Sequence, residues 1–231
     1  MKKILIFGAS KNLGLYLSKK LSNRNIVYNF SRSVINKNSF KVDVRDTDNL
    51  NVVLKKIKIK LKKVDAIIFC VGNSTKNYKK IAFSDNFHEA FEYNFYSFVN
   101  LLNSYLKVFN KKSVKFIVIS SIAALKDINA PITYMIAKNA LSVYSKLMAR
   151  RLIKFNISIN LISPGNILIN KNNWSKKLKN NKNKTLKYIL DNVPRNKFVK
   201  PIEILKIIEL ILDNNLSMVG SDIVVDGGQI L

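Results

Sequence analysis

The chain has 231 residues, 48% hydrophobic and 23% charged, which is enough for one well-buried domain and leaves no length that demands a second. No stretch of about 18 uninterrupted apolar residues occurs, so no membrane span is expected, and a single cysteine, Cys70, excludes an intrachain disulfide framework and fits a reducing cytoplasm. Forty Lys and Arg against 14 Asp and Glu give a formal charge of +26, which calls for either an acidic partner or a compositional origin.

The first residues carry two lysines and then a short apolar run that lacks the length and small-residue cleavage site of a signal peptide; 3–7 read as a buried strand. Residues 12–22 follow as a helix with Leu13, Leu17 and Leu21 on one face. Short strands are expected at 26–30 and 40–44. An amphipathic helix over 47–60 then sets Leu50, Val53, Leu54 and Ile57 among lysines. Residues 64–71 form another apolar strand. The stretch 84–109 reads as a long helix broken near its start, 114–120 as a strand, 131–155 as a second long helix and 157–162 as a strand. A helix at 202–212 and a strand at 223–225 complete the pattern.

Apolar strands alternating with amphipathic helices imply an α/β fold. The expected form is a doubly wound parallel sheet of Rossmann type, helices on both faces, built by 1–231 as a single dinucleotide-binding domain. The Asn- and Lys-rich segment 170–187 departs from the pattern, with Trp174, Leu178 and Leu186 as its apolar anchors. It reads as a surface helix or, within 166–200, as a mobile lid over a substrate site.

Lys, Asn and Ile are scattered along the whole chain, and aromatics do not interleave with the cations in patches. That distribution favours compositional drift over a nucleic-acid surface. The resulting field would still attract acidic ligands and carrier proteins.

Three groups of residues carry chemistry. Gly8-Ala9-Ser10-Lys11-Asn12-Leu13-Gly14 joins the first strand to the first helix, where glycines let the backbone approach a pyrophosphate and the helix N-terminus favours it. Tyr134 and Lys138 lie one helical turn apart on one face, so a fixed ammonium can lower the phenol's pKa and make it a general acid/base. Ser121, thirteen positions upstream at a strand end, can hold the oxygen on which the proton is exchanged. The lone His88 reads as structural and Cys70 as a small buried hydrophobe. No Cys/His cluster has metal-ligand spacing, so no metal is expected.

With Gly8 to Gly14, Asp43-Val44, Gly72, Asn94, Ser121, Tyr134, Lys138, Pro164-Gly165 and Val225-Asp226-Gly227-Gly228 in order, the chain resembles the short-chain dehydrogenase/reductase family from residue 3 to about 228. The resemblance implies that Tyr134 is the general acid/base and that Ser121 positions the reacting oxygen. It implies that Lys138 depresses the tyrosine's pKa and bonds the nicotinamide ribose, and that Asn94 anchors a water on the proton relay. Asp43 would bond the adenine edge with the backbone of Val44 beside it, and Ile167 would present its backbone to the carboxamide. The chain departs from the family at Asn12, where Gly is usual, at Phe7, at Phe69-Cys70-Val71 before Gly72, and at Ile169. Asn tolerates positive φ, so Asn12 can keep the turn.

The end of the second strand has no acidic residue for ribose hydroxyls. Ser31-Arg32 stands there instead, suited with Lys11 to a 2′-phosphate, which favours NADP(H) over NAD(H). The expected activity is interconversion of a ketone and a secondary alcohol. A 3-oxoacyl thioester on acyl carrier protein is the first substrate to consider, with a keto-sugar or other small polar ketone close behind. The competing reading is a non-catalytic binding or regulatory protein on the dinucleotide fold, contacting RNA through its lysines. The two long helices are expected to pair copies into a dimer or tetramer, using apolar residues such as Phe95, Phe98, Leu101, Leu102, Leu141, Tyr144 and Leu147.

Overall fold

A computed structural model describes residues 1–73, 84–110, 113–213 and 217–231. The chain runs β1 (Lys3–Phe7), α1 (Asn12–Leu21), β2 (Ile26–Ser31), β3 (Ser39–Lys41), α2 (Thr47–Leu61), β4 (Ala66–Phe69), α3 (Ser84–Phe91), α4 (Ser97–Phe109), β5 (Val114–Ile119), α5 (Ile132–Leu152), β6 (Ile157–Pro164), α6 (Asn173–Asn180), α7 (Lys182–Asn192), α8 (Pro201–Asp213) and β7 (Asp222–Val225). Among the described residues the strands form one parallel sheet in the order β3-β2-β1-β4-β5-β6-β7.

Side chains alternate across a strand, and β1 shows the consequence. Leu5 and Phe7 enter the layer under α2, α4 and α5, while Ile4 and Ile6 enter the layer under α1 and α8. Both faces of the sheet are therefore dry, which is why its strands read as unbroken apolar runs. Strand order reverses between β1 and β4, so the crevice beyond their carboxyl ends is where this topology places a ligand. Gly8 follows β1 and Cys70-Val71-Gly72 follows β4.

Two strands are shorter than expected. The third ends at Lys41, and Val42 and Val44 beyond it are buried without belonging to a ladder. The fourth keeps only Ala66–Phe69. The break foreseen in the long helix is a π-helical segment, Glu92–Tyr96, between α3 and α4. One wider turn there rotates Asn94 inward, to complete burial.

The apolar faces of α4 and α5 need correction as interface candidates. Phe98, Leu101, Leu102 and Leu141 are buried against the sheet, and Phe95 and Tyr144 pack on the same layer. Of the residues expected to be left over, Leu147 alone is exposed. It joins Ile132, Ile136 and Val143 along α5. Spacings of 4, 7 and 4 residues put these four on one helix face. Among the described residues no helix is long and apolar enough to cross a membrane.

Candidate active site

The crevice between β1 and β4 gathers eleven of the residues expected around a dinucleotide, while Tyr134, Lys138, Pro164, Gly165 and Ile167 do not line it. Gly8, Ser10, Lys11, Asn12, Leu13 and Gly14 form one wall, and Ser31, Arg32, Asp43, Val44 and Gly72 line the rest. The glycine turn is steric in origin. Gly8 has φ +85°, and a Cβ there would lie 2.8 Å from the carbonyl carbon of Cys70. At Gly14 a Cβ would meet the Gly8 carbonyl oxygen at 2.3 Å. Asn12 adopts φ 49°, the left-handed conformation that Asn tolerates better than most side chains. The turn survives the substitution. These residues fit a dinucleotide: the backbone is bare where a pyrophosphate must approach, and Lys11 and Arg32 supply positive charge.

Asp43 lines the cleft, but Arg45 already holds its carboxylate, through Nε to Oδ1 at 3.0 Å and Nη2 to Oδ2 at 2.6 Å. The guanidinium holds the Asp43 carboxyl below its ordinary value. Arg45 also lies over the Tyr93 ring at 4.3 Å, and Arg32 Nη1 donates to the Tyr93 hydroxyl at 3.4 Å. The sequence reading passed over both Arg45 and Tyr93. An Asp-x-Arg run just after the third strand was the available signal.

Ser121, Tyr134, Lys138 and Asn94 converge from three elements. Ser121 caps the short 3-10 turn Ile122–Ala124 after β5, its Oγ accepting from the Ala123 amide at 3.2 Å. Tyr134 and Lys138 come from the first two turns of α5. Lys138 is buried, its Nζ donates to the Ile119 carbonyl at 3.2 Å and lies 6.0 Å from the Tyr134 ring centre. A Cβ on Gly72 would sit 3.1 Å from Asn94 Oδ1 and 3.3 Å from Lys138 Nζ, so both side chains crowd one glycine. Asn94 braces that loop: Oδ1 accepts from Asn73 N at 3.1 Å, and Nδ2 donates to the carbonyls of Asn73 and Ala90, each at 3.0 Å. Two further residues of α5 hold the frame. Asn139 donates to the Ala124 carbonyl at 2.9 Å, and Ser142 bonds Ser120 at 3.0 Å in the interior.

The electrostatics depart from the expectation that Lys138 depresses the tyrosine. Desolvation raises the Tyr134 pKa, and a hydrogen bond with Ser121 opposes it. Burial meanwhile lowers Lys138 to about 8. Burial is the largest influence on both groups, and at neutral pH the lysine remains charged. At neutral pH the phenol is a held proton donor. Desolvation also pushes the Cys70 thiol up to about 12, which makes it an inert wall of the cleft.

A second cavity, of about 550 Å³, is lined by Tyr134 and Ser121. Pro164 and Gly165 line it with Asn166, and α6 and α7 cover it through Asn173, Trp174, Lys177 and Tyr188. Ile167 lines neither this cavity nor the cleft; its carbonyl accepts from Asn172 Nδ2 at 2.7 Å.

Comparison with known proteins agrees with this architecture. A family model described as Enoyl-(Acyl carrier protein) reductase matches residues 14–229. L-xylulose reductase of Caenorhabditis elegans is 31% identical over 113 residues, covering 48% of this chain and 43% of that protein. The chain thus spans less than half the length of this relative. The 3-oxoacyl-[acyl-carrier-protein] reductase FabG of Buchnera aphidicola subsp. Schizaphis graminum is 26% identical over 182 residues, 73% of this chain and 75% of that protein. Among solved structures, ElxO with NADP bound superposes with a TM-score of 0.87 at 21% identity, covering 100% of this chain and 99% of the other. L-sorbose reductase from Gluconobacter frateurii, complexed with NADPH and L-sorbose, gives 0.86 at 21% identity over 99% and 97%. With the family model covering nearly all of its length and the glycine turn, serine, tyrosine and lysine in place, the chain belongs to the short-chain dehydrogenase/reductase family.

Proposed function

We propose that the protein is an NADP(H)-dependent oxidoreductase that interconverts a ketone and a secondary alcohol. The observation that carries this reading is that Ser121 and Tyr134 line one cavity while Lys138, one turn along α5, reaches Gly72 on the wall of the dinucleotide cleft. When bound, the dinucleotide supplies the hydride for reduction or accepts it in the reverse direction. Ser121 and Tyr134 then hold the substrate oxygen between two hydroxyls. Tyr134 gives that oxygen its proton, which its raised pKa keeps available at neutral pH. Lys138, cationic below about pH 8, favours the phenolate left behind and is placed to bond a ribose at the cleft floor.

NADP(H) is favoured over NAD(H) because Arg32, Arg45 and Lys11 surround the far end of the cleft. Helices α6 and α7 serve as the substrate cover. The exposed α5 stripe of Ile132, Ile136, Val143 and Leu147 serves as the contact between copies in a dimer or tetramer. A reducing cytoplasm is the compartment that the single cysteine of the chain suits. The test is oxidation of NADPH by the purified protein with a panel of ketones and acyl thioesters, compared with Tyr134→Phe. Ketone-dependent turnover that requires Tyr134 supports the reading; a wild type silent across the panel overturns it.

A further inference from the structure

Helices α6 and α7 bring a fixed cation onto the cavity that holds Ser121 and Tyr134. Trp174 stacks on Tyr188 with centroids 5.3 Å apart and meets Phe198 at 5.5 Å. Lys177 Nζ lies 4.3 Å from the centre of the Trp174 ring. That contact gives a long, flexible side chain a defined position. Among the described residues no carboxylate lies within ion-pair distance of Lys177.

Lys177 is the cation that lines this cavity among the described residues, and two others are committed elsewhere. Lys126, in an adjoining depression, donates to the carbonyls of Ile230 and Leu231, and Arg195 pairs with Glu203. Asp127 faces that same depression, where it accepts from the Asn129 amide at 2.8 Å. Among the described residues no Asp or Glu lines the Tyr134 cavity itself.

Its polar lining is amide-rich: Asn129, Asn166 and Asn173. Asn166 is buried, and its Nδ2 donates to Gln229 at 2.9 Å. Amides both donate and accept, so such a lining suits hydroxyl groups. Lysine acts as a point charge toward phosphate. The aromatic wall supplies apolar surface, and the few polar groups set orientation.

We infer that Lys177 is the anion-recognising residue of the substrate site, and that the substrate is a small polyhydroxylated ketone carrying a phosphate. The inference rests on the reading of Ser121 and Tyr134 as the reacting end of the same cavity.

Trp174 is the single tryptophan of the chain, so its fluorescence reports binding independently of turnover. Purified wild type, with saturating NADP+ so that the cofactor's phosphate positions are filled, is titrated with dihydroxyacetone phosphate and fructose 6-phosphate and with their neutral parents. In at least one pair the phosphate form should bind about tenfold tighter or more. Lys177→Ala should erase most of that difference, weakening the phosphate form far more than the neutral ketose, and Lys177→Arg should restore it. Equal binding within both pairs overturns the inference, as does a preference that survives in Lys177→Ala. So does efficient reduction of a 3-oxoacyl thioester that is indifferent to Lys177. If neutral ketones are reduced with dependence on Tyr134 while no phosphate preference exists, the anion subsite fails alone. If the preference exists and no ketone is reduced, the reductase reading fails and takes the ketone substrate with it, while Lys177 as the anion-recognising residue stands.

Discussion

Arg45 clasps Asp43 with hydrogen bonds of 3.0 and 2.6 Å while its guanidinium lies 4.3 Å from the centre of the Tyr93 ring. The acid that would otherwise meet the adenine edge is thus already part of a cationic wall, with Arg32 touching the same tyrosine. On the proposed reading, a 2′-phosphate would meet two arginines, only one of which the end of β2 announces. Arg32→Asp should shift preference toward NADH, because attraction becomes repulsion at the phosphate. Arg45→Ala should weaken both cofactors, because it removes the packing on Tyr93 as well as the charge. Titration of each variant with NADPH and NADH checks this; unchanged NADPH affinity in Arg32→Asp overturns it.

Tyr134→Phe removes the phenolic hydroxyl, and with it the proton and the hydrogen bond with Ser121. The expected result is a fall in kcat of about a hundredfold or more, the scale of lost general acid catalysis, with cofactor affinity nearly unchanged. Near-normal turnover would remove Tyr134 from its assigned role.

Lys138 predicts a pH limb. Its pKa is lowered to about 8 by burial, with the Cys70 thiol and the Tyr134 phenol facing it. Below that value it is charged and supports the phenolate; above it the charge is lost while Tyr134, raised in pKa, stays protonated. Reduction measured as kcat/KM from about pH 6 to about pH 10 should decline above about 8, and Lys138→Met should flatten that decline. The stability sign is opposite to that of a salt-bridged lysine. Between the lowered folded value and the ordinary unfolded one, the unfolded chain binds more protons. The wild type should therefore gain stability as pH rises through that window, and the gain should be absent in Lys138→Met. A wild-type profile flat in both activity and stability would contradict the assignment.

Asn94→Ala strips partners from the Asn73 amide and from the carbonyls of Asn73 and Ala90. Unpairing buried groups costs about 1–3 kcal/mol, so thermal unfolding should shift down by several degrees. Since the same loop carries Gly72 against Lys138, the KM for NADPH should rise as well. A stability loss with unchanged NADPH kinetics would confine Asn94 to a structural role.

Val143→Glu with Leu147→Glu places charge on the exposed α5 stripe without touching the core. At about 0.15 M salt, where surface charges are screened beyond roughly 8 Å, the wild type should scatter light as a dimer or tetramer. The double variant should fall to a monomer. A wild type that is monomeric at micromolar concentration rules the stripe out as an interface.

Local rules were enough to read the strands, most helices and the Tyr134–Lys138 pairing, because periodicity and one-turn spacing are properties of neighbouring residues. The glycine turn was legible for the same reason, and Asn12 at φ 49° shows that its tolerance for the left-handed region was readable from residue type. Partnerships across the fold were not. Which apolar faces of α4 and α5 meet the sheet, how Arg45 captures Asp43, and where Lys177 rests on Trp174 depend on the packing of elements distant in sequence. Burial decided the charges too: spacing alone pairs a lysine with a tyrosine, but the depth at which the fold sets them raises one pKa and lowers the other.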